Sequence, residues 1–414
     1  MSERSAGPSR LLIRDLAQLV TVPSEAAVPV RGSALREVDV VENAFVLCED
    51  GIVTAAGAMR ELATLAVESA EELDGSGLCA IPGLVDCHTH PAFLGDRVEE
   101  FALRAGGASY EELHAEGGGI MSSVRATRAG SEEELRAAVR SHADWMLRAG
   151  TTTFEGKSGY GLDRETELAS LEAVATAEGI PTWLGAHAVP PEFKDADAYL
   201  DFALAEVLPG AAALAVAADV FVEEGAFGVE QARRYLNACR GARLALRLHA
   251  DQFNVLGAVE LAIELGARSV DHLEATRDGG VRALAASDVT AVLLPASALF
   301  LDRPMSPARG LADAGAVIAL ATDFNPGSAF CESLPLVCSL ACTQLHLAPE
   351  EALAACTVNA AHVLGLADRR GRICRGQDAD LVLLDAPDWR HLAYHLGGDL
   401  IATVIRRGAV AWAR

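Results

Sequence analysis

Apolar and polar positions along this chain fall into two regimes. Through the middle, short apolar runs alternate with longer stretches in which apolar residues recur every three to four positions. The runs are Cys79–Asp86, Thr151–Glu155, Pro181–Ala186, Asp219–Val222, Leu244–Leu248, Arg268–Asp271, Val289–Leu294 and Ala316–Thr322. Short runs of this kind read as strands buried on both faces. Glu132–Ala149, Arg164–Glu178, Val229–Cys239, Ala258–Leu265 and Gly280–Ala286 carry the helical period between them. Eight such alternations predict a (β/α)8 TIM barrel. A doubly wound open sheet is the alternative, but no Gly-rich phosphate fingerprint follows a first strand; Gly117-Gly118-Gly119 is not placed that way.

The ends of the chain read differently. Leu11 to Val22 has strand character, and Ala44 to Gly57 reads as a hairpin turning at Asp50-Gly51. A short amphipathic helix is predicted over Met59 to Leu73. Strands return at Asp380–Leu384 and from Ala402 to Trp412, with a turn at Arg407-Gly408. Neither end is large enough to fold comfortably alone. The economical reading is one small β-sandwich from residues 1–77 and 370–414, with the barrel over 78–369.

Composition narrows the partners. Of 414 residues, 51% are hydrophobic and 22% charged, enough to bury a sizeable core. A net charge of −24 argues against nucleic acid or an anionic membrane as partner, and an anionic small molecule would need a local arginine. Nine cysteines occur without a C-x-x-C pair, which fits a reduced, cytoplasmic chain. Cys87 reads as a small buried residue, and Cys338 and Cys342, one helical turn apart, as core packing. No secretory signal is expected at the N-terminus, and the longest apolar stretch, Pro209 to Ala218, is too short to span a bilayer. Oligomeric state is not legible, although a sandwich of both chain ends leaves room for a homodimer.

Chemistry collects at the ends of the apolar runs. Val85-Asp86-Cys87-His88-Thr89-His90 ends the first, and two histidines one residue apart on a strand point to the same side. His187 follows the third run, His249 the fifth, His272 the sixth and Asp323 the eighth. Five of the 11 histidines thus fall at four run ends. The C-terminal ends of barrel strands are where catalytic residues gather. His88, His90, His249 and Asp323 form the inferred metal set; imidazole suits zinc or iron, and a set without thiolate fits a catalytic centre. Asp323 can also accept a proton from water, and His272 can polarise a carbonyl. His187 reads as ligand or substrate donor, with the donor role favoured. Lys157 is placed beyond its strand, in a loop Ser158-Gly159-Tyr160 over the site; a carbamylated, metal-bridging lysine is the alternative, set aside in favour of one metal. Arg97 offers a planar fork for a carboxylate, and Tyr160 reads as a substrate donor or a packing lid. His114, His142, His346, His362, His391 and His395 read as structural or exposed. Cleaving a C–N bond this way would need no organic cofactor.

From about residue 10 to 412, the chain resembles the imidazolonepropionases of the amidohydrolase superfamily. Beyond VDCHTH and the late Asp323, the resemblance is carried by GGGIMSSVRATR (117–128), KSGYGLDRETEL (157–168), GAHAVP (185–190), DVFVEEGAF (219–227), LHADQF (248–253), VDHLEAT (270–276), LLPASALFL (293–301) and ATDFNPGS (321–328). It implies hydrolysis of 4-imidazolone-5-propanoate to N-formimidoyl-L-glutamate in histidine degradation, with one Zn2+ or Fe3+ on His88, His90, His249 and Asp323. It implies His272 as the catalytic histidine, Arg97, Tyr160 and His187 as contacts to a small-molecule substrate, and Asn325, Gly327 and Ser328 as residues that hold substrate or product. It also implies the sandwich built from both ends. Gln252 stands where some members have Glu. It cannot act as a base, so proton transfer would shift to Asp323 and His272, with Gln252 retained as a catalytic-site hydrogen-bond partner for the ring. The alternatives are an amidohydrolase acting on another carboxylate-bearing cyclic amide, or a nucleobase aminohydrolase, against which Gln252 counts. A third is a barrel without catalysis, which the four ligands oppose.

Overall fold

The computed structural model describes residues 10–107 and 119–414; His114 and Gly117-Gly118 lie outside them. The N-terminal side supplies β1 (Arg10–Thr21), β2 (Asp39–Glu49), β3 (Ile52–Ala58), β4 (Glu71–Asp74) and β5 (Cys79–Pro82). The central strands are β6 (Leu84–Asp86), β7 (Thr151–Lys157), β8 (Ile180–Ala186), β9 (Ala217–Phe221), β10 (Ala245–Ala250), β11 (Ser269–His272), β12 (Thr290–Leu293) and β13 (Ile318–Leu320). The C-terminal side adds β14 (Leu381–Leu384), β15 (Ile401–Arg406) and β16 (Ala409–Ala413).

Strands β6 to β13 pair in chain order, all parallel, as the eight strands of a (β/α)8 barrel. The seam between first and last strands is sealed just past their ends. Asp323 N donates to His88 O at 3.0 Å and His90 N to Phe324 O at 2.8 Å. The backbone that closes the barrel is therefore the backbone that carries three of the inferred ligands.

Both chain ends build a second, mixed sheet ordered β16-β15-β14-β5-β1-β2-β3, with β4 on β1. It forks at β1: the first half pairs with β4 and the second with β5, on either side of a register shift between Ile13 and Leu16. Leu11, Ile13, Val46, Leu381, Leu383 and Ile405 meet in one apolar cluster between the branches. Asp50-Gly51 and Arg407-Gly408 each have two positive φ values, the turns that match strand twist in tight hairpins.

Two elements differ from the sequence reading. The apolar run Cys79–Asp86 is two strands in two sheets. Gly83 N donates to Asp380 O in the mixed sheet at 2.9 Å, and Leu84 N to Gly150 O in the barrel at 3.2 Å. Gly83 permits this crossing because the Thr152 side chain fills the space where a Cβ would stand. The helix expected over Met59 to Leu73 stops at Leu62, and Glu71–Asp74 joins β1 instead. Met59, Leu62, Leu65, Val67 and Ala70 cover Leu12, Phe45 and Leu47, so a turn-rich lid uses the apolar spacing. No helix among the described residues is long and apolar enough to cross a membrane.

Candidate active site

Four side chains converge at the top of the barrel. His88 Nε2 and His249 Nε2 each stand 3.3 Å from His90 Nε2, and Asp323 Oδ1 lies 3.5 Å from His88 Nε2 and 3.4 Å from His90 Nε2. All four residues are buried. His88 Nδ1 faces Asp271 Oδ2 at 2.5 Å, and His249 Nδ1 faces Asp219 Oδ1 at 3.1 Å. An ionised carboxylate only accepts, so each of these Nδ1 atoms carries the proton and each Nε2 turns a lone pair inward. Burial, with Lys157 and the other histidines around it, holds His88 well below the usual imidazole range. Burial also outweighs Asp219 and lowers His249 to about 4. Burial would raise Asp323, but His90, His272 and His249 bring it down to about 2. The inward lone pairs of His88 and His249 and the Asp323 carboxylate, crowded around His90, repel one another unless a cation lies among them. The donor set fits a metal ion on chemical grounds, and His88, His90 and Asp323 form one of the clusters with metal-binding spacing.

His272 joins the cluster from the other flank, grouped with His88 and His249. Left-handed backbone at His272 (φ 85°) and Leu273 (φ 71°) ends β11 and turns the ring toward the site. His272 Nδ1 faces Glu274 Oε1 at 3.4 Å, which leaves Nε2 as its working atom. Burial would lower this imidazole, but Glu274's charge and hydrogen bond prevail and hold it above its ordinary value.

The residues read from sequence as substrate contacts lie on loops or at strand ends. Arg97 Nε donates to Ser123 Oγ at 3.0 Å, and the guanidinium lies against Gly327, where any Cβ would collide with it. His187 Nδ1 lies 2.9 Å from Gly159 O, so Nδ1 donates and Nε2 is left with a lone pair. Burial, then His90 and His249, lower His187 to about 3. His187 therefore presents an acceptor at Nε2, where the sequence reading favours a substrate donor. Its ring stacks on His90 with centroids 5.6 Å apart, and Tyr160 packs edge-on to it at 5.3 Å. Burial raises the Tyr160 phenol, which stays protonated. Glu167 Oε1 accepts from Gly159 N, Gly161 N and Leu162 N at 2.9, 2.9 and 3.0 Å, which shapes this loop from a fully covered position.

Asn325 spends its amide on its own loop. Its Nδ2 donates to Asp323 O at 2.6 Å and Ser328 Oγ at 2.8 Å, and its Oδ1 accepts from Gly327 N at 2.8 Å and Ser328 N at 2.7 Å. Ser328 Oγ reaches Asp323 Oδ2 at 3.3 Å. Gln252 is buried in the loop after β10. His142 is buried in the helix Glu132–Arg148, bonded to Pro91 O at 2.8 Å.

Lys157 corrects the sequence reading. It is the last residue of β7 and not a loop residue. Its Nζ donates to Asp219 Oδ2 at 2.7 Å and Glu155 Oε1 at 3.0 Å, and is an ion-paired ammonium without solvent exposure. Glu155, Asp219, Arg247 and Asp271, which surround it, went unread. The signal was present as polar, ionisable residues two apart within apolar strands, Glu155/Lys157 and Arg247/His249, which strand alternation turns to one side.

The amidohydrolase family profile matches residues 79–410. An imidazolonepropionase of Rubrobacter xylanophilus is 59% identical over 97% of this chain and 98% of its own length. One from Herpetosiphon aurantiacus is 44% identical over 96% of each. Among solved structures, an adenosine deaminase from Xanthomonas campestris with bound zinc superposes with a TM-score of 0.72 at 18% identity, covering 97% of this chain and 93% of that one. Guanine deaminase of E. coli gives 0.73 at 15% identity, covering 98% and 99%. At such identities these two structures support the fold alone. With the barrel, the histidine–aspartate cluster and near-full-length identity in agreement, this chain belongs to the amidohydrolase family and, within it, to the imidazolonepropionases, hydrolases of a cyclic-amide C–N bond.

Proposed function

We propose that the clustered residues hydrolyse 4-imidazolone-5-propanoate to N-formimidoyl-L-glutamate, as a step of histidine degradation. Water adds to the ring carbonyl carbon, the cyclic-amide C–N bond breaks, and the second ring nitrogen keeps the formimidoyl group. His88, His90, His249 and Asp323 would hold one ion, zinc or iron(III), which when bound supplies Lewis acidity toward water and the carbonyl. Asp323 accepts the proton of the attacking water at Oδ2, since Oδ1 is the atom turned to His88 and His90, and passes it to the departing ring nitrogen as the C–N bond breaks. His272, with Glu274 on Nδ1, donates from Nε2 to the carbonyl oxygen as charge develops there. Arg97, braced at Nε by Ser123, offers its outer nitrogens to the propanoate tail. His187 Nε2 accepts a ring N–H, the Tyr160 hydroxyl donates, and Gln252 hydrogen-bonds the ring. Gly327 gives Arg97 room, and Asn325 and Ser328 hold the loop around Asp323.

One observation carries the reading: a buried metal-type donor set and an arginine fork braced over a glycine are joined by a single loop, residues 323–328. Nine free thiols support a reduced, cytoplasmic setting. The test is ultraviolet absorbance of freshly generated substrate, with product identified by mass spectrometry and metal content by elemental analysis. Rapid loss of absorbance with formimidoylglutamate as product, absent in Asp323→Asn, supports the reading. A fully metallated but inert protein would refute the substrate assignment, and the elemental analysis decides between zinc and iron.

A further inference from the structure

Beneath the ligands lies a lattice of five charged side chains, Glu155, Lys157, Asp219, Arg247 and Asp271, none more than 1% exposed. Barrel interiors are usually filled by branched apolar side chains, and replacing buried ion pairs with apolar residues is often neutral or stabilising. Stability alone is thus a weak reason for the lattice. What its carboxylates touch gives a better one.

We propose that Lys157 and Arg247 are positioning residues for the metal centre, each fixing the carboxylate that orients one ligand histidine; this rests on the metal-site reading above. On one arm, Lys157 Nζ donates to Asp219 Oδ2 at 2.7 Å, while Asp219 Oδ1 accepts from His249 Nδ1 at 3.1 Å. On the other, Arg247 Nη2 donates to Asp271 Oδ2 at 3.0 Å, the oxygen that His88 Nδ1 meets at 2.5 Å. Arg247 Nη2 also donates to Cys87 O at 2.6 Å, the carbonyl just before His88. One guanidinium therefore holds both the backbone leading into a ligand and the carboxylate on its ring. Glu155 joins the arms, accepting from Lys157, from Arg247 Nη1 and from Thr182 Oγ1 at 2.6 Å. Register makes this possible: Arg247 lies level with Asp219 on β9 and with Ser269 on β11, one pleat below His249.

The arms are not equivalent. Lys157 acts as a point charge, whereas Arg247 uses a fork whose Nε is also fixed on Ser269 Oγ at 3.0 Å. A lysine at 247 keeps the charge and loses the fork.

The test uses full-length Lys157→Met and Arg247→Lys, with zinc affinity by competition with a chromophoric chelator and the visible spectrum of the cobalt(II)-loaded proteins. Loss of an outer partner of a metal ligand typically weakens binding 10- to 100-fold, so about 10-fold weaker zinc binding and a shifted cobalt band are expected in both variants. Arg247→Lys preserves the buried charge balance and keeps the test open if Lys157→Met fails to fold. A merely structural role predicts lower thermal stability with wild-type zinc affinity and an unchanged cobalt band in the folded protein, and that result overturns the proposal. Wild-type protein that binds no metal would overturn both this proposal and the metal-site reading; a metal-binding wild type with unaffected variants would overturn this proposal alone.

Discussion

The proposed ligand histidines and the proposed substrate contacts lie side by side but are held by opposite means. His88 is oriented by a carboxylate from across the barrel, Asp271 on β11, and His249 by one on the adjacent strand, Asp219 on β9, and those carboxylates are held by buried cations. Arg97, Tyr160 and His187 lie on loops or at strand ends and are braced by short polar links: Ser123 on Arg97, Glu167 on the backbone around Tyr160, and Gly159 O on His187. A strand lattice fixes positions to a fraction of an ångström, while loops tolerate changes of ligand shape. The contrast implies that the two groups fail separately. Damage to the lattice should appear in metal binding and turnover; damage to the loops should appear in KM, with the metal retained.

The sharpest break falls on Asp323, which belongs to both groups through Ser328 and the barrel seam. Asp323→Asn removes a ligand oxygen and the proton acceptor at once. Removing a general base alone costs 10^2- to 10^4-fold, so kcat is expected to fall by about 10^3-fold or more. Steady-state kinetics at matched metal content check this, and retention of a tenth of the activity would remove Asp323 from proton transfer. Stripping the metal from wild-type protein with a chelator should abolish turnover comparably and reversibly, because the residual side chains lack any strong electrophile.

Arg97→Ala isolates the other group. The fork's partner would be left buried and unpaired, worth roughly 2 to 5 kcal/mol, so KM should rise on the order of 30-fold or more with unchanged metal content. Gly327→Ala should act in the same direction without touching a charge, since the new methyl would displace the guanidinium. A KM unmoved in both would place the propanoate tail elsewhere.

How far the site was legible from sequence follows the same division. The ligands announced themselves because histidines and an aspartate ended apolar runs, and strand geometry fixes where run ends point. The lattice below them was passed over: a charge within an apolar strand counts as a break in the pattern until its barrel neighbours are known. Lys157 was read as loop for that reason, although Asp219 beside it makes burial tolerable. His187 is legible as a site residue, but its tautomer is not, since that depends on Gly159 O, a backbone atom 28 residues away in the chain. The split of Cys79–Asp86 was equally hidden, because Gly83 N and Leu84 N choose sheets only once Asp380 is in place.

Glu167 gives a smaller effect that tests the loop half directly. Its Oε1 collects three N–H groups around Tyr160, and a glutamine there keeps an acceptor but loses the charge that strengthens all three bonds. Weakening them by about 1 to 1.5 kcal/mol in sum should raise KM roughly 5- to 10-fold, with kcat and metal content near wild type. A loss of metal in Glu167→Gln would show that the two halves of the site are not independent.

An equally small expected change is the most discriminating for how Arg97 works. Ser123 Oγ accepts from Arg97 Nε, so it spends the inner nitrogen and leaves the two outer ones for a ligand carboxylate. Ser123→Ala removes one hydrogen bond to a charged group, about 1 to 1.4 kcal/mol, and leaves the charge where it is. If the fork must be held flat over Gly327 to grip the tail, KM should rise about 5- to 10-fold and the effect should vanish in an Arg97→Ala background, because the two residues act on one contact. If Ser123 merely fills space on the buried face of the helix Ile120–Ala129, the two effects will add instead, and the guanidinium must then be oriented by other groups, with Glu100 at 3.9 Å a charged candidate among the described residues.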